Sequence, residues 1–287
     1  MRSGGKNQQK AHLDDKVEFY TKQKGKSMKK GRLTQKEHER RLKLLLEFIY
    51  IFRYATGYEI ADFSRIVIGI TYSRWLVYYA SRMGLVRSYY DPSYRVKIYY
   101  LTTVGKGLIY QQEALIEHYN FDKKHTGNCA FQKHCVLVNA YLNISSHVEL
   151  NIMNWQSEWM LRIKKKRCES VPASNFLVRP CTKVALELIL ERRSRDFIKE
   201  RILQRYYYLI EKVQEYHALL IVTPYSASSK GVKKVLSFES PEFCRKYVIF
   251  SDQETLKAGQ CIYKDEIRGL SDAFGLVRAE STGTVVK

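Results

Sequence analysis

The sequence predicts a mixed α/β protein, with a helical segment and a hairpin preceding a larger α/β domain. Residues 35–118 contain segments with helical periodicity and two strand-like runs. Strand-like apolar runs then alternate with helical stretches over residues 119–255. Apolar residues make up 45% of the 287 residues, which is enough to form a sizeable core.

The first 34 residues are polar and rich in lysine, and they predict a flexible basic arm. The whole chain has 49 Lys and Arg against 29 Asp and Glu, a net charge of +20. Such a surplus repels itself unless it meets a polyanion, so a nucleic acid or an anionic membrane surface is expected as the partner. No run reaches the roughly 18 apolar residues that span a bilayer, and no signal peptide is present, so we expect a cytoplasmic protein without membrane insertion.

Residues 35–118 predict a compact series of elements. Thr34 and Glu37 form a capping-box pattern ahead of a first helix that extends to about Ala55. Two further helices are predicted over residues 59–64 and 72–83, with Gly84 closing the third. Two strand-like runs, 85–91 and 95–103, meet at a turn that contains Pro92, and a helix over residues 104–118 follows.

Three helices followed by a hairpin are typical of a winged helix, which presents its third helix to the DNA major groove. The apolar spacing of the third helix leaves four side chains facing outward as predicted DNA contacts: Ser73, Arg74, Tyr78 and Arg82. The hairpin adds Tyr94, Arg95 and Lys97 for backbone or minor-groove contacts. A winged helix that serves protein contacts instead of DNA remains an alternative.

The second half of the chain predicts an α/β domain followed by a polar tail over residues 256–287. Strands are predicted at 148–154, 175–178, 183–190, 218–223 and 246–250. Helices are predicted at 135–144, 194–216 and 231–238. The continuous apolar character of 183–190 predicts a strand that is covered on both faces.

Glu187 lies in the middle of this apolar strand, where a lone carboxylate must be paired, protonated or bound to a cation. Glu158 follows another predicted strand. Carboxylates that gather on one sheet edge can hold a hard divalent cation for phosphodiester chemistry. The alternative is an ion pair between Glu187 and a nearby cation such as Lys183 or Arg193.

With these residues in view, the chain resembles the replication-relaxation proteins and the related MOBC-type plasmid mobilization relaxases. The segments that carry the resemblance are HCVLVNAYL from His134, Trp155 with Glu158, VPASNFLV, and VALELILERRS from Val184. The resemblance covers roughly residues 35–250. It implies a winged helix joined to a restriction-endonuclease-like mixed-sheet domain of the PD-(D/E)xK class, over residues 119–255.

The resemblance also implies a catalytic site in which Glu158 and Glu187 bind Mg²⁺ or Mn²⁺ and Lys183 is a catalytic cation. Two positions depart from the family pattern. Ala173 stands where an Asp is expected, and Ile189 where a Lys or Glu is expected. A shifted register, with Glu169 as the missing ligand and Lys183 or Lys199 as the missing cation, is an alternative.

Other classes of DNA enzyme fit the sequence less well. No GxxxxGK[ST] segment occurs, which disfavours a nucleotide-driven motor, and no His-apolar-His pair occurs, which disfavours a two-histidine relaxase. The six cysteines have no CxxC spacing, which predicts structural thiols in a reducing compartment.

We therefore expect a DNA-processing protein of a bacterial plasmid or integrative element, bound to double-stranded DNA near an origin and nicking it with a divalent metal. Single-stranded DNA and other mobilization or replication proteins are expected as further partners. The alternative is a catalytically inactive accessory protein or transcriptional regulator that binds DNA without cleaving it.

Overall fold

A computed structural model describes residues 34–71, 74–109, 119, 121, 127–164, 171–178, 181–191 and 193–282. The chain divides into two compact units, residues 1–40 and 41–287, and the second unit spans the domain boundary expected at residue 118. The predicted arm covers residues 1–34, of which residues 1–33 lie outside the described residues. The predicted mixed α/β class is confirmed by the helices and by a seven-stranded mixed sheet.

The first described elements are the helices α1 (Gln35–Phe52) and α2 (Gly57–Phe63) with a two-residue strand β1 (Ala55–Thr56) between them. The buried residues of α1 recur at helical spacing, as the apolar pattern predicts. Helix α2 begins with a capping box between Thr56 and Glu59, and it continues as a π-helical turn over Ser64–Ile68.

A third helix and a hairpin complete a small antiparallel sheet. Helix α3 (Arg74–Arg82) is followed by Gly84, whose φ of 68° is the left-handed backbone expected of a glycine at a helix end. Strands β2 (Val86–Asp91) and β3 (Val96–Leu101) pair with each other, and β1 pairs with β3, giving the order β1-β3-β2.

The short helix α4 follows at Thr103–Gly107. Leu108 and Ile109 are not helical, and residues 110–118 of the predicted helix lie outside the described residues. The later elements, in chain order, are α5 (Asn128–Ser145), a 3₁₀ turn (Val148–Leu150), β4 (Ile152–Ser157), α6 (Glu158–Lys164), β5 (Ser174–Val178), β6 (Thr182–Leu188), β7 (Ala218–Thr223), α8 (Ser226–Glu239), α9 (Pro241–Tyr247), β8 (Val248–Asp252), α10 (Gln253–Lys257), β9 (Gln260–Tyr263), β10 (Glu266–Gly269) and α11 (Leu270–Thr282).

Between β6 and β7 lies α7, a composite helix over residues 195–212. It contains α-helical turns at Arg195–Phe197 and Arg205–Tyr207 and π-helical turns at Ile198–Gln204 and Tyr208–Lys212. The predicted cap is present, because Ser194 Oγ accepts a hydrogen bond from the backbone N–H of Phe197 at 3.2 Å.

The larger sheet has the strand order β10-β9-β8-β7-β6-β5-β4. Strands β6, β7 and β8 are parallel, and the pairs on either side are antiparallel. Alternate residues of β6 belong to two different apolar clusters: Val184 and Leu186 pack with Phe176, whereas Ala185 packs with Tyr206 of α7. Strand β6 is therefore covered on both faces, as its continuous apolar run predicts.

The structure differs from the predicted polar tail after residue 255. Strands β9 and β10 form a hairpin at one edge of the sheet, and α11 packs its buried face into the larger apolar cluster. The turn residues Lys264 and Asp265 both have positive φ, 52° and 68°. Hairpin turns of this kind usually contain Asn and Gly, so the Lys-Asp pair does not indicate a turn in the sequence. The prediction of a polar tail was therefore wrong over these two short strands.

The predicted lack of membrane insertion concerns the helices. In the described part of the chain, no helix combines the length and the apolar character needed to cross a bilayer.

Candidate nucleic-acid interface and carboxylate row

The outer face of α3 carries three of the predicted DNA contacts. Arg74, Tyr78 and Arg82 are exposed and follow one another at intervals of four residues, so they share one helix face. The guanidinium carbon of Arg82 lies 5.7 Å from the centre of the Tyr78 ring. The buried residues of α3 lie on the opposite side. Ser73, the fourth predicted contact, lies outside the described residues.

The hairpin carries two exposed cations and one aromatic residue with a different role. Arg95, at the turn with a φ of 53°, and Lys97 are both exposed. Tyr94, in contrast, stacks on Phe131 of α5, with ring centres 3.9 Å apart. The structure therefore gives Tyr94 a packing contact where the sequence predicted a DNA contact, because its ring finds an aromatic partner far along the chain.

Glu158, Ala173 and Glu187 form a row across the larger sheet. The backbone N–H of Glu158 donates to the carbonyl of Ala173 at 3.0 Å. The β5–β6 register pairs Ser174 with Leu186, and continuing it by one residue places Ala173 opposite Glu187. Neighbouring strands lie about 4.8 Å apart, so the two glutamates are about 10 Å apart at their backbones, with an alanine between them. We call these three residues the carboxylate row.

Both carboxylate oxygens of Glu158 are bound by cations. Its Oε2 lies 2.5 Å from Lys133 Nζ on α5, and its Oε1 lies 2.6 Å from Arg162 Nη2, one turn further along α6. Burial acts to raise the pKa of Glu158, but the charges and hydrogen bonds of Lys133 and Arg162 outweigh it, so the pKa lies below its ordinary value. Glu158 is therefore a paired carboxylate.

Glu187 has a different set of partners, all from α7. The hydroxyl of Tyr206 donates to Glu187 Oε2 at 2.5 Å, and Arg205 Nη1 lies 3.5 Å from the same oxygen. Burial raises the pKa of Glu187 and prevails over the lowering effects of Arg205, Tyr206 and Lys133. The charge of Glu158 raises it further, so the two glutamates are close enough to repel each other.

Lys183, the predicted catalytic cation, is not brought to the row. It precedes Glu187 by four strand residues, a separation of about 13 Å along β6. Its Nζ lies 3.8 Å from Glu215 Oε1 and 4.8 Å from the centre of the Tyr216 ring. The predicted alternative, an ion pair of Glu187 with Lys183 or Arg193, is not formed either. Glu187 pairs instead with Arg205 and Tyr206 of α7.

Three cations at the row were missed by the sequence reasoning: Lys133, Arg162 and Arg205. Arg162 follows Glu158 at the i, i+4 spacing of a helical ion pair, which is a signal that could have found it. Lys133 and Arg205 come from distant helices, and nothing in their sequence neighbourhoods marks them among 49 basic residues.

The side chains of the row do not fit the divalent metal that the family resemblance implies. Two carboxylates flank an alanine, three of their oxygens already have cationic or hydroxyl partners, and the raised pKa of Glu187 disfavours its charged form. Ile189, at the other departing position, is buried against α7. In the described ranges, no three His, Cys, Asp or Glu side chains are grouped as metal ligands would be. Glu169 and the metal-site alternative that uses it lie outside those ranges.

A pocket of about 410 Å³ opens beside Glu158, between the end of α1, helix α5 and the β4–α6 junction. Its described lining includes three cations, Arg53, Lys133 and Arg162, and the guanidinium carbon of Arg53 lies 5.1 Å from the centre of the Trp159 ring. Much of the remaining lining is apolar.

Comparisons of the chain with family models, with curated proteins and with solved structures found no match.

Proposed function

We propose that this protein binds double-stranded DNA through the outer face of α3 and the β2–β3 hairpin. The observation that carries the proposal is the exposed series Arg74, Tyr78 and Arg82 on one face of α3. Arg and Tyr in such a series can contact both phosphates and base edges. The net charge of +20 supplies the long-range attraction to a polyanion.

The element order supports a winged-helix reading of this segment. Helix α1, strand β1, helices α2 and α3, and the β2–β3 hairpin follow the order of that motif, in which the third helix enters the major groove. The exposed Arg95 and Lys97 then lie on the hairpin, where a winged helix makes backbone or minor-groove contacts.

The carboxylate row supports a place among DNA-processing proteins of plasmids or integrative elements. Glu158, directly after β4, and Glu187, on β6, lie in one row across the sheet with Ala173 between them, an arrangement that is similar to the nuclease-like domain that the sequence resembles. On this proposal the protein acts at a replication or transfer origin in the bacterial cytoplasm, with mobilization or replication proteins as further partners.

Binding without cleavage is the activity that the geometry of the row supports best. Lys133 and Arg162 neutralise Glu158, and Ala173 replaces the central carboxylate that a metal would need. A paired, cationic site can contact a phosphate directly. The second candidate is metal-dependent nicking with Mg²⁺ or Mn²⁺ bound by Glu158 and Glu187, which requires both glutamates to exchange their present partners for the metal.

The two candidates differ in what they require. We expect the full-length protein to bind an origin-bearing duplex in EDTA, with log affinity falling linearly as log salt concentration rises. We expect no open-circle product from supercoiled origin plasmid with Mg²⁺ or Mn²⁺. Nicking that is lost in Glu187→Gln would establish the second candidate, and absence of duplex binding at low salt would overturn both.

Two substitutions test the interface itself. Arg74→Ala should reduce the preference for origin over unrelated duplex, because on this proposal Arg74 contacts base edges. Lys97→Ala should weaken binding to all duplexes about equally, because a hairpin lysine contacts phosphate. Equal loss of origin preference in both variants would contradict these roles.

A further inference from the structure

The pocket beside Glu158 combines a cationic rim with an apolar interior. Its described lining contains three cations, Arg53, Lys133 and Arg162, and one carboxylate, Glu158. The lining also contains the buried His134, which pairs with Glu59. The carboxylate holds the ends of Lys133 and Arg162 in place through three contacts of 2.5–2.8 Å. The pocket is therefore electropositive, and two of its cations are oriented before any ligand arrives.

The two oriented cations keep donors for a ligand. An ammonium has three N–H donors and a guanidinium has five. Glu158 accepts one hydrogen bond from Lys133 and takes the Nε and one terminal nitrogen of Arg162. The other donors have no partner among the described residues, so an oxyanion can join the cluster without displacing Glu158.

The rest of the lining suits a flat apolar group. Phe52, Leu137 and Ile163 line the pocket, and the small side chains of Ala130 and Ala173 leave its space open. A volume of about 410 Å³ lies in the range of sites that enclose a small organic group.

We propose that this pocket receives one unpaired nucleotide of the bound DNA, with its phosphate on Lys133 and Arg162 and its base among Phe52, Leu137 and Ile163. This inference rests on the proposed DNA-binding function and adds a preference for unpaired over paired strands. A pocket can enclose a base only after the base leaves the stack, and the apolar contacts of the pocket offset part of the cost of unstacking.

The test compares two labelled duplexes of one sequence, one fully paired and one with a single unpaired thymidine at its centre. Fluorescence anisotropy in EDTA should give about tenfold tighter binding of the second duplex by the full-length protein. Ala130→Phe fills the pocket from an exposed position of α5 and should abolish the preference while leaving binding to the paired duplex unchanged.

A matched pair of charge variants tests the phosphate contact. Lys133→Gln should reduce the preference for the unpaired duplex severalfold, whereas Lys257→Gln, an exposed lysine outside the lining, should leave it unchanged. Circular dichroism melting of each variant shows whether it is folded, and Ala130→Phe remains the decisive variant if Lys133→Gln unfolds.

The outcomes separate this inference from the proposed function. Equal binding of the two duplexes by the wild type would overturn the pocket inference and leave the DNA-binding proposal standing. Binding of neither duplex would overturn both. Binding of free thymidine 5′-monophosphate without a preference for the unpaired duplex would assign the pocket to a free nucleotide and would also overturn the inference.

Discussion

Nε2 of His134, on α5, lies 3.3 Å from Oε2 of Glu59, on α2, and both side chains are buried. The same carboxylate oxygen accepts the backbone N–H of Thr56 at 2.7 Å, and the Thr56 hydroxyl oxygen accepts the backbone N–H of Glu59 at 3.2 Å. Tyr54 stacks on the imidazole, with ring centres 3.8 Å apart. One carboxylate thus starts α2 and also connects it to the helix that precedes the larger sheet.

Replacing this carboxylate should destabilise the protein in a pH-dependent way. Burial acts to raise the pKa of Glu59, but His134 and Thr56 outweigh it and hold the pKa below its ordinary value of 4.5. The stabilisation from the ionised carboxylate is therefore present at neutral pH and is lost as the pH falls through the folded-state pKa. Glu59→Gln should lower the free energy of unfolding by about 3 kcal/mol at pH 7, and by less as the pH falls below 4.5.

Urea denaturation over this pH range measures the difference. Glu242→Gln, at an exposed position of α9, serves as the control and should change little. A loss in Glu59→Gln that stays constant from neutral to acidic pH would contradict the assigned role.

Tyr206→Phe tests the hydrogen bond that Glu187 receives. Without the hydroxyl, the pKa of Glu187 should rise further, because the donated hydrogen bond acts to lower it. A group whose pKa is raised in the folded state lowers the free energy of unfolding as the pH rises through that pKa. The loss of stability in Tyr206→Phe should therefore be largest at high pH. We expect a loss of about 1–3 kcal/mol at pH 8 and a smaller loss at pH 5, measured by urea denaturation.

The neighbouring Tyr207 provides a matched control, because it is 41% exposed. Tyr207→Phe should leave the unfolding free energy nearly unchanged at both pH values. A Tyr206→Phe variant as stable as the wild type at pH 8 would show that the hydroxyl contributes little.

Two glycines of α4 differ in what a side chain would meet. A Cβ on Gly105 would lie 2.0 Å from the carbonyl oxygen of Leu85, whereas one on Gly107 would meet nothing within 4 Å. Gly105→Ala should cost more than about 2 kcal/mol because backbone must move. Gly107→Ala should be neutral or stabilising by up to about 1 kcal/mol, since alanine favours helix. Thermal melting distinguishes them, and similar melting temperatures would contradict this packing.

The carboxylate row should accept a divalent cation once an acid replaces Ala173 and the ammonium of Lys133 is removed. In the double variant Ala173→Asp with Lys133→Ala, three neighbouring carboxylates would repel one another without a cation. Mn²⁺ at about 100 times its dissociation constant should then raise the stability by about 2.7 kcal/mol. We expect no Mn²⁺-dependent shift in melting temperature for the wild type or for Lys133→Ala. A shift in the wild type would instead support the metal-dependent candidate.

Periodicity predicted much of the fold. The first helix and the two hairpin strands agree with their predictions within a few residues, because their apolar residues follow helical or strand patterns. Strands β6 and β7 agree as well, because a short continuous apolar run is typical of a strand covered on both faces. The segment 148–154 was predicted as one strand, and this prediction was wrong over its first residues, since the observed strand is Ile152–Ser157. It begins with a 3₁₀ turn, and Asn151 and Asn154 have positive φ, so the strand starts late and is irregular.

The site was only partly predictable, for a physical reason. Glu187 could be found because a carboxylate in an apolar strand needs a partner. Its partners Arg205 and Tyr206 could not be predicted, because they lie on α7 and only the packing of α7 on the sheet brings them to Glu187. Nearness in sequence suggests Lys183 as an ion-pair partner of Glu187, but successive strand residues lie about 3.3 Å apart, so four residues separate the two side chains widely.

The carbonyl oxygen of Ile51, at the end of α1, accepts hydrogen bonds from Ser157 Oγ at 2.5 Å and from Trp159 Nε1 at 2.8 Å. Both donors belong to the β4–α6 junction of the larger sheet. A variant that lacked residues 35–109 would leave these two donors without their acceptor and would expose the Trp159 ring, which packs against Tyr50 of α1. Helix α1 and the larger sheet should therefore be kept together in any engineered form of the protein.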